Sequence, residues 1–142
     1  MELRITRIDP TLPMPEYQTP GSVAFDVYAR ESVTIAPKTI ALIPTNLIVC
    51  VPEGYVLLLA SRSSTPKKSG LLPPHGIGVL DQDYCGPKDE MLVQVWNFTD
   101  APSVVERGQR IAQALIMPIE RCTLVEAPVT TEKSRGGVGS TG

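Results

Sequence analysis

The sequence lacks several features that mark common protein classes. It has one histidine, His75, and three cysteines, Cys50, Cys85 and Cys122, which lie too far apart for a clustered metal site. Its 13 Lys and Arg are outnumbered by 15 Asp and Glu, which excludes a general positive field for nucleic acid. No apolar run reaches membrane-spanning length, and no signal-peptide block is found at the N-terminus. We expect a cytoplasmic protein with free thiols and no membrane or nucleic-acid partner.

Long helices are excluded as well, because proline recurs along the whole chain. The 142 residues include 14 Pro and 11 Gly, and the longest proline-free stretch runs from Gly21 to Ala36. Proline inside a helix removes a backbone hydrogen bond and clashes with the preceding turn. The sequence therefore predicts one all-β domain of about nine short strands, built as a sandwich, barrel or jelly roll, with one brief helix.

Three segments illustrate the local predictions. Alternation in Val23 to Ala29 predicts a half-buried strand that places Val23, Phe25 and Val27 on one face and Asp26 and Tyr28 on the other. Ser63 to Gly70 predicts one or two helical turns, with Ser64 or Thr65 as the cap, Pro66 just inside and Gly70 as the stop. Arg107 to Met117 is compatible with either a helix or a buried strand.

Two segments have the chemistry of phosphate binding. Arg62-Ser63-Ser64 combines a guanidinium with two hydroxyls near a helix start, although ordinary capping by Ser64 explains it equally well. The tail from Thr130 to Gly142 has almost no large apolar residues and is predicted to be mobile. It ends in Arg135 followed by a glycine-rich run whose backbone N–H groups could bind an anion, and a plain flexible tail is the alternative.

Other polar and aromatic residues have simpler interpretations when each is taken alone. Asp81 and Asp83 point the same way in an extended segment and could hold a metal or activate water, but acidic turns are common. Solvent is the expected neighbour of Asp26. Trp96 and Phe98 share a strand face, which favours packing in the core or between subunits over ligand stacking.

Taken in order, five segments resemble the motifs of the trimeric dUTP pyrophosphatases (dUTPases). Five motifs in the right order and spacing are specific, although each alone is modest evidence. They are Gly21 to Tyr28, Arg62-Ser63-Ser64, Gly78 to Gly86, Arg107 to Gln113, and Arg135 to Gly142. The resemblance covers nearly the whole chain.

The resemblance implies a jelly-roll-like subunit, a homotrimer and Mg²⁺-dependent hydrolysis of dUTP to dUMP and pyrophosphate. This activity limits uracil in DNA and supplies dUMP for dTMP synthesis. The family also implies a domain of residues 1–133 followed by an arm of residues 134–142, which closes the active site of another subunit. Mg²⁺ would be held mainly by the triphosphate and water, in keeping with its preference for phosphate oxygens.

The resemblance also implies a role for each matching residue. Asp81 would activate the water that attacks the α-phosphorus, Tyr84 would pack on the deoxyribose, and Asp26 with Arg110 would form a supporting ion pair. The residues that would contact the substrate are Arg62, Ser63, Ser64 and Gln113 at the α- and β-phosphates; His75, Gly76, Gly78 and Val79 at the uracil; and Arg135, Val138, Gly139, Ser140 and Thr141 in the arm. The γ-phosphate would be bound by Arg135, Ser140 and Thr141.

Two residues and one short segment depart from the family pattern. Val138 replaces an aromatic that commonly covers the uracil, and His75 replaces an Asn that helps to read the base. Pro87 to Glu90 lengthens the turn after Gly86 and is expected on the surface. Two other functions remain open: a dCTP deaminase of the same fold, which would release ammonia, and a non-catalytic nucleotide-binding regulator, which would bind dUTP without turnover.

Overall fold

The computed structural model describes residues 1–129, 132–134 and 136–137. Across these residues the chain forms eleven short strands and one five-residue helix. In chain order they are β1 (Arg4–Arg7), β2 (Phe25–Tyr28), β3 (Val33–Ile35), β4 (Ile40–Pro44), β5 (Leu47–Cys50), β6 (Tyr55–Ser61), α1 (Thr65–Ser69), β7 (Leu71–Leu72), β8 (Gly78–Leu80), β9 (Leu92–Asn97), β10 (Ser103–Val105) and β11 (Arg110–Pro118). The predicted all-β class is confirmed, with more strands than expected.

The strands pair in antiparallel fashion to form four small sheets. The largest has the order β2-β11-β6-β8, the next has the order β4-β9-β7, and the two remaining sheets are β1-β5 and β10-β3. Strand β11 pairs with both neighbours, so that Gln113 lies opposite Asp26 on one side and Ala60 on the other. This central strand therefore brings residues that are far apart in the sequence to one end of the largest sheet.

The two larger sheets contribute to one hydrophobic core. Val27 from β2 and Leu57 from β6 are fully buried, as are Ile43 from β4 and Ala114 from β11. Two prolines mark strand ends, because proline cannot donate to a sheet ladder. Pro44 and Pro118 are the last residues of β4 and β11.

The structure corrects one local prediction and resolves another that was ambiguous. The simple alternation predicted for β2 is wrong: Val23 is 79% exposed, whereas Asp26 is only 7% exposed. Asp26 is buried because cationic side chains compensate its charge, a condition that permits burial of a carboxylate. The ambiguous segment from Arg107 to Met117 contains a strand, since β11 has hydrogen-bonded partners on both sides.

The short helix lies where it was predicted, but the Ser64 side chain makes no capping hydrogen bond. Ser64 precedes α1, Pro66 lies in its first turn, and Gly70 ends it with a φ of 63°. A side chain at Gly70 would collide with Thr99, so both the backbone conformation and the space favour glycine there. In the described part of the chain, no helix is long and apolar enough to cross a bilayer.

Large apolar side chains lie on the outer surface of the β4-β9-β7 sheet. We call this surface the apolar face, and its members are between 36% and 56% exposed: Ile40, Leu42, Leu72, Leu92 and Trp96. Trp96 lies directly opposite Ile40 on one side and Leu72 on the other. Trp96 is therefore outside the core, so the expected packing in the core is wrong for this residue.

Candidate active site

A buried carboxylate in β2 binds two arginine side chains. Asp26 Oδ1 accepts a hydrogen bond from Arg62 Nε at 2.8 Å, and Asp26 Oδ2 accepts one from Arg110 Nη1 at 3.0 Å. The order of the strands places both arginines next to Asp26. Strand β11 begins at Arg110 and lies between β2 and β6, and Arg62 directly follows β6. Each guanidinium has five N–H donors, so an arginine held in this way has further donors for an anion.

Both arginines line a surface depression, which we call the cationic depression. Its other lining residues include a third cation, Lys68, and several hydroxyl groups. The full lining is Arg62, Ser64, Thr65, Lys68, Ser69, Gln109 and Arg110. Three cations against the one carboxylate of Asp26 leave a positive surplus, and the hydroxyls add hydrogen-bond donors. This combination of groups suits a phosphate chain.

The family resemblance implies that two more residues, Ser63 and Gln113, bind phosphate. Both are close in sequence to residues that line the cationic depression. Ser63 is exposed in the turn between Arg62 and Ser64. Gln113 lies in β11 and donates from Nε2 to the Ser61 carbonyl at 3.0 Å. Ser61 is the last residue of β6, so Gln113 reaches the strand end from which Arg62 emerges. Four of the assigned residues therefore converge on the end of β6.

A second part of the candidate site is the segment of residues 75–80, which contains β8 and which we call the β8 segment. Gly78 lies opposite Leu59 of β6, and a Cβ at Gly78 would lie 3.1 Å from Leu59 Cβ. A side chain at Gly78 would therefore require Leu59 or β8 to shift by a few tenths of an ångström. Val79 is 61% exposed, and His75 is also exposed in the turn before β8. The β8 segment thus leaves the side chains of His75 and Val79 exposed.

Asp81 follows β8 and begins a tight turn. The Tyr84 N–H donates to the Asp81 carbonyl at 3.4 Å, so this segment is not extended as expected. Asp81 and Asp83 are both exposed, and they share a second depression with Arg121. The depression that contains Asp81 is lined by Tyr55, Val56, Leu80, Asp81, Gln82, Asp83, Ile119 and Arg121. Asp81 and Arg62 therefore lie in different depressions of one chain.

A disulfide joins the loop of residues 81–91, which connects β8 and β9, to β5. Cys85 is bonded to Cys50, with their Cα atoms 5.1 Å apart. The expectation of three free thiols is therefore wrong for two of them, whereas Cys122 is free and exposed. The two cysteines are separated by 35 residues and meet only because the 81–91 loop folds against the end of β5. Tyr84, directly before Cys85, is 39% exposed and donates from its hydroxyl to the Glu90 carbonyl at 3.2 Å.

An ion pair anchors the other end of the 81–91 loop. Arg30 Nε and Nη2 donate to Glu90 Oε1 and Oε2 at 2.8 and 3.0 Å. These hydrogen bonds to Glu90 raise the pKa of Arg30 above its ordinary value. Pro87 and Lys88 are exposed, as predicted. The surface placement is wrong for Glu90, whose side chain is 14% exposed because the guanidinium compensates its charge.

Comparison with known proteins identifies the family. Residues 11–142 match the dUTPase family model, and the deoxyuridine 5'-triphosphate nucleotidohydrolase of Dictyoglomus turgidum is 38% identical over 144 residues, covering 97% of this chain and 96% of that protein. The chain belongs to the dUTPase family.

Solved dUTPase structures have the same fold. The Staphylococcus bacteriophage 80alpha dUTPase with dUpNHpp has a TM-score of 0.86 and 26% identity, covering 99% of this chain and 98% of that chain. A variant of the phage phi11 dUTPase, whose structure concerns the coordination of a structural Mg(II) ion, has a TM-score of 0.77 and 25% identity, covering 89% of this chain and 97% of that chain. The jelly-roll-like dUTPase fold is therefore confirmed for this chain.

Some of the implied site residues are beyond the described part of the chain. Arg135, Val138, Gly139, Ser140 and Thr141 lie outside the described residues. In contrast, Lys68 and Arg121 line the two depressions of this dUTPase-family chain but were missed in the sequence. Lys68 follows Ser64 by four residues in a predicted helix, a spacing that places two side chains on one face. From that spacing, Lys68 could have been predicted to lie beside Ser64 in the site. No comparable pattern in the sequence indicated Arg121.

Proposed function

We propose that this chain hydrolyses dUTP to dUMP and pyrophosphate by in-line attack of an Asp81-activated water on the α-phosphorus. The observation that carries the proposal is the cationic depression, in which buried Asp26 holds Arg62 and Arg110. Such a fixed array of donors is suited to a polyphosphate rather than to a neutral ligand. Membership of the dUTPase family and the 38% identity to a deoxyuridine triphosphate nucleotidohydrolase support uracil deoxyribonucleotide as the substrate.

The phosphate chain would bind at the end of β6. Arg62, Ser63, Ser64 and Gln113 would donate to the α- and β-phosphates, and Arg110 would keep Asp26 and Arg62 aligned. Donors that are already held in place stabilise the charge that develops on the phosphoryl oxygens without a reorganisation cost. Catalysis by these residues would therefore consist of positioning and charge stabilisation.

Asp81 is the proposed general base. Its exposed carboxylate lies in a turn directly after β8, where it can hold a water and accept the proton as that water attacks. The β8 segment, directly before Asp81, would read the nucleoside. The backbone of Gly76 to Leu80, including Gly78 and Val79, and the His75 side chain would face the uracil, and the Tyr84 ring would pack on the deoxyribose and exclude a 2'-hydroxyl.

The proposed cofactor is Mg²⁺. Asp81 and Asp83 offer hard oxygen ligands, yet in the described part of the chain no group of three or more His, Cys, Asp or Glu could hold a metal ion. This donor set suits Mg²⁺ that is bound mainly by the triphosphate and by water, because Mg²⁺ keeps several waters and favours phosphate oxygens. When bound, the ion would neutralise phosphate charge.

A homotrimer is the proposed assembly, with active sites shared between subunits. Asp81 and Arg62 lie in separate depressions of one chain, so a neighbouring copy would supply the missing half of each site. The apolar face, with Trp96 at its centre, is available for contact between copies. Residues 134–142 would form an arm over the site of another subunit, in which Arg135, Ser140 and Thr141 bind the γ-phosphate and Val138 and Gly139 lie over the nucleoside.

We propose that the enzyme acts in the cytoplasm, on the nucleotide pool. The activity is tested by following pyrophosphate release from dUTP, dCTP, dTTP and UTP, and ammonia release from dCTP. We expect dUTP to be turned over much faster than the other three nucleotides, with at least a 100-fold loss in Asp81→Asn, as removal of a general base costs about 10²–10⁴-fold. Asp83→Asn is the matched control in the same turn. Ammonia release, dUTP binding without turnover, or full activity of Asp81→Asn would contradict the proposal.

A further inference from the structure

The 81–91 loop is tied to the rest of the fold on both sides of Tyr84. Before it, Gln82 Nε2 donates to the Tyr55 carbonyl at 2.9 Å. Directly after it, Cys85 is bonded to Cys50. The ion pair of Glu90 with Arg30 follows at the far end of the loop. The disulfide is therefore the tie nearest to Tyr84, and it is covalent.

The Cys50 end of this cross-link is rigid. Cys50 is the last residue of β5 and lies opposite Arg4 of β1. Its neighbours Val49 and Val51 are 0% and 5% exposed, so the chain on both sides of Cys50 is packed in the core. By contrast, the hydrogen bond from the Tyr84 hydroxyl to the Glu90 carbonyl lies within the loop. It joins the ring to a residue that is itself anchored, because the Glu90 carboxylate accepts hydrogen bonds from Arg30 and from the Asn46 N–H.

The Tyr84 ring therefore has a noncovalent tie at its hydroxyl and a covalent tie through its main chain to Cys85. Tyr84 is 39% exposed, and its main chain is continuous with the cross-linked Cys85. To exclude a single hydroxyl group, a side chain must be held within about 0.5 Å of its working position. A loop released from β5 would allow the ring to retreat and make room for a ribose.

We propose that the Cys50–Cys85 disulfide is a positioning element that sets the preference for deoxyribonucleotides over ribonucleotides by holding Tyr84 in place. This inference rests on the proposed function, in which Tyr84 packs on the deoxyribose. Cys50 and Cys85 touch no reacting atom in this account and act only through the position of Tyr84. Their effect is therefore on selection between dUTP and UTP more than on the chemical step.

The cross-link can be opened chemically without changing the sequence. A thiolate of dithiothreitol attacks one sulfur of the disulfide and displaces the other cysteine as a thiolate. The second dithiothreitol thiolate then attacks the mixed disulfide and displaces the remaining cysteine. Two electrons and two protons pass to the protein, which gains two thiols, and the reagent becomes a cyclic disulfide. Exposed Cys122 is already a free thiol and is unchanged by this reaction.

The test measures kcat and KM for dUTP and UTP in full-length protein. The forms compared are disulfide-bonded wild type, wild type reduced with dithiothreitol, Cys50→Ser and the matched control Cys122→Ser. Thiol titration checks the cross-link: we expect one free thiol per chain in the oxidised protein and three after reduction. Three thiols in the oxidised wild type would overturn the proposal directly.

We expect reduction and Cys50→Ser each to lower the ratio of kcat/KM for dUTP to that for UTP about tenfold, because Tyr84 is misplaced by a fraction of an ångström to 1 Å. The kcat for dUTP should be largely retained, reoxidation should restore the ratio, and Cys122→Ser should match wild type. Dithiothreitol should not change Cys50→Ser further. An unchanged ratio in fully reduced wild type would overturn the proposal even if Cys50→Ser fails to fold. No dUTP hydrolysis by the oxidised protein would overturn the proposed function itself, and this role with it.

Discussion

Arg62 Nε lies 2.8 Å from Asp26 Oδ1, although the two residues are 36 positions apart in the sequence. Arg62 thus has two partners in this account, since the same guanidinium would bind substrate phosphate. The ion pair fixes the guanidinium before substrate arrives, which lowers the cost of ordering a long side chain on binding. Asp26 is consequently as important to phosphate binding as the arginines that it holds.

Replacement of Asp26 tests this relationship. In Asp26→Asn both arginines lose their charged partner, and we expect the free energy of unfolding to fall by about 2 kcal/mol, as both hydrogen bonds of the carboxylate are to charged groups. The KM for dUTP should also rise at least tenfold, because Arg62 and Arg110 are no longer aligned. Chemical denaturation and steady-state kinetics measure the two effects.

Asp100→Asn is the matched control for that substitution. Asp100 also pairs with a cation, Lys38, at 3.1 Å, but its side chain is 94% exposed. Exposed ion pairs contribute little, so we expect stability and KM to stay at wild-type values. Equal losses in Asp26→Asn and Asp100→Asn would contradict a special role for the buried carboxylate.

Lys68 provides a test of the cationic depression itself. We expect Lys68→Met to raise the KM for dUTP about tenfold, because one of three cations around the phosphate chain is lost. The effect should shrink as salt is added, since screening weakens the same attraction. Lys67→Met changes the neighbouring residue of α1 and serves as the comparison. If the two variants raise KM equally at every salt concentration, Lys68 has no specific place in the site.

Gly78 tests the link between sheet packing and the proposed reading of the base by the β8 segment. In Gly78→Ala the new methyl group would lie 3.1 Å from Leu59 Cβ, and overpacking of this kind costs about 1–3 kcal/mol. We expect lower stability together with a lower kcat/KM, because β8 carries Asp81 at its end. Gly21→Ala, which meets no atom within 4 Å, should keep wild-type stability in the same thermal unfolding experiment.

Asp9 gives a prediction for acidic solution. Hydrogen bonds from Thr11, followed by that from Arg107, hold the pKa of the Asp9 carboxyl well below its ordinary value of 3.8. A carboxyl with a lowered folded-state pKa stabilises the protein above its unfolded-state pKa and loses that contribution as the pH falls toward the folded-state value. The stability difference between wild type and Asp9→Asn should therefore be largest near neutral pH and shrink below about pH 4. A difference that grows on acidification would contradict this assignment.

Local signals were enough to predict the short helix but not the central strand. Pro66 and Gly70 act within one or two turns of chain, so α1 could be placed from the sequence alone, although Ser64 makes no side-chain capping hydrogen bond. The state of β11 depends on hydrogen bonds to β2 and β6, which no window of neighbouring residues contains. The burial of Asp26 has the same origin, because its compensating arginines come from other strands.

The candidate site shows a similar division. The motifs indicated Asp26, Arg62 and Arg110, but only the sheet order brings Arg62 onto Asp26. The Cys50–Cys85 disulfide could not be inferred from spacing, because three cysteines allow several pairings and a fully reduced chain. Its existence depends on the path of the 81–91 loop, which long-range contacts determine.

Hydrolysis of dUTP in ¹⁸O-labelled water, with mass spectrometry of both products, tests the central claim most directly. If the chain is a dUTP pyrophosphohydrolase that attacks the α-phosphorus, dUMP and pyrophosphate form in equal amounts and the label appears in the phosphate of dUMP. In Asp81→Asn the same products should form at least 100-fold more slowly. Label in pyrophosphate, or no cleavage of dUTP by the wild-type protein, would contradict the account.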